Sequence, residues 1–163
     1  FNPIIHVYDP FVDDLPEYCN RVDSLEKLFK KSEAVAIHAG LTEDTRGIIT
    51  EELLGMLPDN GILINTARGK IVDEDALLRE LKTGRIRAGI DVYNGDIPLP
   101  ENHPARQWEN VIFTCHSISK GSWPDNPNKL LKREKVCLDN VKRYIKGKPL
   151  RFVMDKKRYL RST

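Results

Sequence analysis

The 163-residue chain carries a net charge of +2, with 40% hydrophobic and 31% charged residues, an ordinary globular composition with enough length for one domain with a real core. That balance compels neither a nucleic-acid nor a membrane partner, no apolar run reaches the length of a membrane helix, and no stretch reads as a signal peptide. The three cysteines, Cys19, Cys115 and Cys137, are odd in number and lack metal-ligand spacing, which points to reduced thiols in a cytoplasmic setting.

The chain opens at Phe1 and enters almost at once an apolar run, residues 4–8, which predicts a strand closed by Asp9-Pro10. It is therefore expected to be a piece of something longer. Ser24 begins a short helix with Leu25, Leu28 and Phe29 on one side. Residues 34–39 form the next predicted strand, apolar apart from His38, which is taken as a structural residue. Thr50 caps a helix containing Leu53, Leu54 and Met56, and Pro58-Asp59-Asn60-Gly61 is a strong turn signal.

Residues 62–93, ILINTARGKIVDEDALLRELKTGRIRAGIDVY, read as strand, turn, helix, strand. Arg68 falls just past the carboxyl end of the first strand, where open α/β sheets hold their ligands. Gly69 allows a sharp turn directly after it. The helix starts with Asp73 as N-cap, Glu74 and Asp75 in its first turn, and Val72 and Leu77 placed as a hydrophobic staple. Leu77, Leu78 and Leu81 give it a buried face, and Gly84 stops it. The strand over residues 88–93 carries one carboxylate, Asp91, among apolar neighbours.

After an extended loop over residues 94–100, a strand over 111–114 delivers Cys115 and His116 at its carboxyl end. Residues 117–128, rich in Ser, Gly, Asn and Pro, read as loop. Residues 129–146 show a helical apolar pattern opposite a basic face, which is taken as solvated, and Gly147 ends the helix.

The stretch NTARGKIVDEDALLRELKTGRIRAGIDVY closely resembles the signature of the NAD-dependent D-isomer-specific 2-hydroxyacid dehydrogenases. HAGLTEDTRGIITEELLGMLPDNG is similar to the segment before it in that family, and NVIFTCH to the strand after it. The resemblance covers most of residues 4–116, continues more loosely through GKPLRFVMD, and rests on three motifs in the right order. It implies an α/β fold with a Rossmann-like, doubly wound parallel sheet. Residues 1–116 would be a partial dinucleotide-binding domain, and 117–163 a loop, crossover helix and tail packing toward a substrate domain not in this chain.

Arg68 and His116, both past strand ends, are expected on one rim of the sheet. A guanidinium can pair bidentately with a substrate carboxylate and polarise the adjacent carbonyl. An imidazole can take the proton of an alcohol as hydride leaves, or return it, and needs a carboxylate to orient it. By the resemblance these roles fall to Arg68, His116 and the acid at Asp96, where the family has Glu. Asp is one methylene shorter, and the extra residue Ile97 re-aims the loop. Cys115 stands where the family commonly has Pro and is taken as a structural thiol, since hydride transfer needs no covalent step.

The cofactor implied is NAD. Asp9 is the candidate for the acid that accepts both adenosine ribose hydroxyls and repels a 2′-phosphate, although a plain Asp-Pro turn is the alternative on the residues alone. The resemblance places Asp91 at the nicotinamide carboxamide, with Thr66, Ala67 and Arg68 at the same ring end, and adds Ala39, His116 and Ser119 to the cofactor contacts. Gly40 stands where the family has Pro, which is expected to loosen that loop.

The Gly-rich fingerprint G-x-G-x-x-G is absent from the sequence. In the order 3-2-1-4-5-6 the strand that precedes it is central, so strands 2 and 3 are expected apart from 4, 5 and 6, with two edges that pair with each other or drive self-association. The expected activity is hydride transfer between NAD(H) and a small D-2-hydroxy or 2-keto acid, by a homodimer at full length, with the isolated chain inactive. The alternative is a non-catalytic, dinucleotide-sensing scaffold similar to the dehydrogenase-like corepressors. Which 2-hydroxy acid is used lies outside these residues.

Overall fold

The computed structural model describes residues 2–93, 99–114, 116, 132–156 and 159. The chain divides into two compact units, Phe1–His116 and Ser117–Thr163.

The first unit is built on parallel strands. β1 (Ile5–Val7) pairs with β2 (Cys19–Arg21), and β3 (Ala34–Ile37), β4 (Ile62–Asn65), β5 (Arg87–Ile90) and β6 (Val111–Phe113) form a separate sheet in that order. The two sheets correct the strand count drawn from the sequence. Cys19–Arg21, not 34–39, is the strand beside β1, while Ala34–Ile37 pairs with β4. The expected separation is present, but it falls between β1–β2 and β3, and the edges of β1 and β3 do not pair with each other. The strands at 34 and 88 are also shorter than the apolar runs suggested, because pairing stops at Ile37 and Ile90.

The helices form where their caps dictate. Ser24 accepts from Lys27 N at the start of α1 (Leu25–Lys31), and Thr50 accepts from Leu53 N at the start of α2 (Glu51–Gly55). Asp73 accepts from Ala76 N at the start of α3 (Glu74–Thr83). Gly84, with φ of 77°, ends α3 in the left-handed conformation and returns its N–H to Leu81 O. Val72 and Leu77 are both buried, as the staple requires.

One face of the four-stranded sheet supplies Val35, Ile37, Leu63, Ala88, Ile90 and Val111 to the core. Leu53, Leu54, Leu57, Ala76, Leu77 and Leu81 close over it, and Phe29 joins from α1. Each Val, Leu, Ile or Phe among them contributes about 1.5–3 kcal/mol when fully buried. Alternate residues Ala34 and Ala36 on the edge strand β3 are exposed, as a period of two demands. Arg85 locks α2 to the loop after α3: its guanidinium donates to Leu54 O at 2.8 Å and Leu57 O at 2.5 Å, and pairs with Glu80 at 2.9 Å.

In the second unit, α4 spans Lys132–Ile145, and residues 129–131, where the sequence predicts the start of this helix, lie outside those described. Leu138, Val141, Tyr144 and Ile145 are exposed. Asn140 holds the following segment by bonding both N and O of Arg151 at 2.9 Å. Among the described residues no helix is long and apolar enough to cross a membrane.

Candidate active site

All four strands of the larger sheet run parallel, so their carboxyl ends share one edge. β4 ends at Asn65, which is only 2% exposed. Its side chain reaches into the loop that follows. Oδ1 accepts from Ala67 N at 3.1 Å, and Nδ2 donates to Arg68 O at 3.0 Å. A buried amide with both ends satisfied fixes this turn, and Arg68 projects from it into solvent, its Nη1 donating to Ala67 O at 2.8 Å. The chain then tightens into a 3₁₀ turn, Gly69–Ile71, as a glycine at 69 suggested.

β5 passes directly into Asp91, whose N–H donates to Asn65 O at 2.9 Å and which is 6% exposed. From β6, Thr114 donates its N–H to Ile90 O at 3.0 Å and its hydroxyl to the Asp91 carboxylate. His116 N then donates to Asp91 O at 2.6 Å, with φ of 55°. That positive φ is uncommon for a residue with a Cβ. The imidazole is exposed. A continuous run of backbone bonds, Asn65 to Asp91 to His116, thus carries the carboxyl edge from the Arg68 turn to the His116 turn.

Below this edge a cleft is lined by Asn65, Gly69, Glu74, Leu77, Tyr93 and Phe113, among others. Tyr93 lies edge-on to Phe113, ring centroids 6.5 Å apart. Burial holds its phenol above the usual tyrosine range, and the nearby carboxylates Glu74 and Asp75 push in the same direction.

The remaining sequence candidates lie on other segments of the chain. Asp9 follows the carboxyl end of β1, and its Oδ1 accepts from Phe11 N at 2.8 Å, the Asp-Pro turn the sequence allowed. Arg21 on β2 donates to the carbonyls of Asp9, at 3.0 Å, Val12 and Asp13, pinning that loop. Ala39 and His38 are exposed just past β3. The loop after them, which Gly40 was expected to loosen, is tied by Thr45 Oγ1 donating to Gly40 O at 2.7 Å and by Thr42 N donating to Thr45 Oγ1 at 2.7 Å. Thr66 and Ala67 sit in the clamped turn. Asp96, Cys115 and Ser119 lie outside the described residues.

Sequence reasoning missed Asn65, Thr114 and Arg21. Asn65 carried the one available signal, a polar residue ending an apolar strand. Among the described residues no cluster of potential metal ligands occurs.

The geometry agrees with the comparisons. The model of the D-isomer specific 2-hydroxyacid dehydrogenase, NAD binding domain, matches residues 1–117. A glyoxylate reductase of Thermofilum pendens is 44% identical over 96 residues, 58% of this chain and 28% of that protein. A hydroxypyruvate reductase of Thermotoga maritima is 37% identical over 118 residues, 71% of this chain and 38% of that protein. A D-isomer specific 2-hydroxyacid dehydrogenase of Xanthobacter autotrophicus Py2, solved with NADPH and MES, superposes with a TM-score of 0.69 at 29% identity, covering 94% of this chain and 60% of its own. This chain therefore spans well under half the length of those two curated relatives. It belongs to the D-isomer specific 2-hydroxyacid dehydrogenase family, within whose NAD binding domain residues 1–117 fall.

Proposed function

We propose that the chain is the greater part of the nucleotide-binding half of an oxidoreductase that transfers hydride between NAD(H) and a small D-2-hydroxy or 2-keto acid. The observation that carries this reading is the shared edge of β4, β5 and β6, where the Arg68 turn, the buried Asp91 and the His116 turn follow one another. When bound, the nicotinamide supplies the hydride. Arg68 holds the acid's carboxylate as a bidentate partner and draws charge toward the developing alkoxide oxygen. His116 gives or takes the proton at that oxygen, oriented by the carboxylate of Asp96.

The Asp91 carboxylate, buried at the edge rather than on an open surface, suits an acceptor for an amide such as the nicotinamide carboxamide. Thr66, Ala67, Ala39 and Ser119 line the path of the same ligand, and Asp9 at the end of β1 takes the ribose hydroxyls and favours NAD over NADP. The names of the relatives point to glyoxylate and hydroxypyruvate as first substrates to test. The full-length enzyme acts as a homodimer in the cytoplasm. Residues 1–116 form the dinucleotide-binding part, and 117–163 lead back toward the substrate domain.

The 163 residues alone are inactive on this reading: they lack the Gly-rich turn that holds a pyrophosphate, and β1–β2 stand apart from β3–β6. The test is NADH oxidation by the full-length protein with glyoxylate, pyruvate and hydroxypyruvate. Turnover of at least one supports the enzyme; dinucleotide binding with no turnover of any supports a sensing scaffold instead. Calorimetric titration of the isolated chain should show no NAD binding, and ordinary affinity there would refute its inactivity.

A further inference from the structure

Asp91 is buried at 6% exposure, yet a buried carboxylate must be both solvated by the protein and aimed. The Thr114 side chain meets it directly, its hydroxyl donating to Oδ1. Thr114 is half-buried, its own N–H is held by Ile90 O at 3.0 Å, and two residues on His116 N is held by Asp91 O at 2.6 Å. The backbone of the threonine is thus held beside Asp91, and the carboxylate cannot rotate without breaking a charge-assisted bond.

We propose that Thr114 is a positioning residue for the cofactor: its hydroxyl bonds one oxygen of Asp91 and thereby sets the orientation in which the carboxylate meets the nicotinamide carboxamide. The inference rests on the placement of Asp91 at the nicotinamide given above. The substitution that isolates it is Thr114→Val, which keeps the β-branched shape and removes only the donor. Loss of a charge-assisted bond of this kind is expected to weaken binding by about tenfold.

The experiment measures the dissociation constants of NADH and of ADP-ribose, by fluorescence and calorimetry, on the full-length protein. ADP-ribose carries the adenosine, pyrophosphate and ribose but no nicotinamide. Thr114→Val should weaken NADH by about tenfold and ADP-ribose by less than about twofold, and Thr114→Ser, which restores a hydroxyl, should recover most of the NADH affinity. Equal weakening of both ligands would show a merely structural role and overturn the proposal, as would an unchanged NADH affinity. Thr114→Ala takes the same measurements if the valine variant does not fold. Asp91→Asn separates the two levels of the argument. If it leaves NADH affinity unchanged, the placement of Asp91 at the nicotinamide fails. If it weakens NADH while Thr114→Val does not, the role of Thr114 alone fails.

Discussion

Asn65 clamps the turn that carries Arg68: its buried amide accepts from Ala67 N at 3.1 Å and donates to Arg68 O at 3.0 Å. The last residue of β4 therefore sets the backbone from which the Arg68 guanidinium projects. Asn65→Ala removes both bonds and leaves the half-buried Ala67 N–H and the Arg68 carbonyl without this partner. It should destabilise the protein by about 1–3 kcal/mol, read by urea unfolding, and raise the KM for the keto acid more than that for NADH. An equal rise in both would detach Asn65 from Arg68.

Gly61 and Gly89 make opposite predictions. A Cβ on Gly61 would stand 2.7 Å from the carbonyl oxygen of Pro58, a backbone atom in the turn that Gly61 N itself closes. A Cβ on Gly89 would meet only the Ile64 Cδ1 end at 2.9 Å, which rotates away. Gly61→Ala should cost about 1–3 kcal/mol by overpacking and Gly89→Ala well under about 1 kcal/mol. Urea midpoints compared at constant m-value check both.

Arg85 joins Leu54 O, Leu57 O and Glu80 through a planar fork that lysine does not reproduce. Arg85→Lys should lose about 1–2 kcal/mol of stability, discounted for the partial exposure of the pair. The expected signature is a lower thermal midpoint with unchanged dinucleotide affinity in the full-length protein, since Arg85 stands at the end of the sheet where the strands begin. A loss of affinity with unaltered stability would contradict that role.

Tyr93 gives a pH-dependence. Burial raises its phenol above the ordinary 10.0, so the folded form keeps the proton at a pH where the unfolded form has lost it. Its contribution is therefore complete below pH 10 and lost as the pH climbs through the folded value. Unfolding free energies taken from about pH 9 to about pH 11 should fall less steeply in Tyr93→Phe than in the wild type. Parallel slopes would show that the phenol is not held.

The parts of this molecule legible in the sequence were those decided locally. Ser24, Thr50 and Asp73 announced their helices because a cap is a contact over three residues, and Gly84 its stop because a left-handed φ excludes most other residues. The strand Cys19–Arg21 was not legible: its residues are exposed or half-buried and follow no apolar pattern, and it is a strand only because β1 lies beside it. The placement of Arg68 and His116 at one edge could be argued from strand ends and parallel pairing. The clamps behind them could not, because Asn65 acts on backbone atoms of a turn whose shape is unknown beforehand, and Thr114 acts on a carboxylate 23 residues away in sequence.

The most direct test of the account is the rate of NADH-dependent glyoxylate or hydroxypyruvate reduction by full-length protein carrying His116→Gln. The account predicts a fall in kcat of about 10²- to 10⁴-fold. A variant that turns over as fast as the wild type would contradict the assignment of proton transfer to His116 at the carboxyl edge of the sheet.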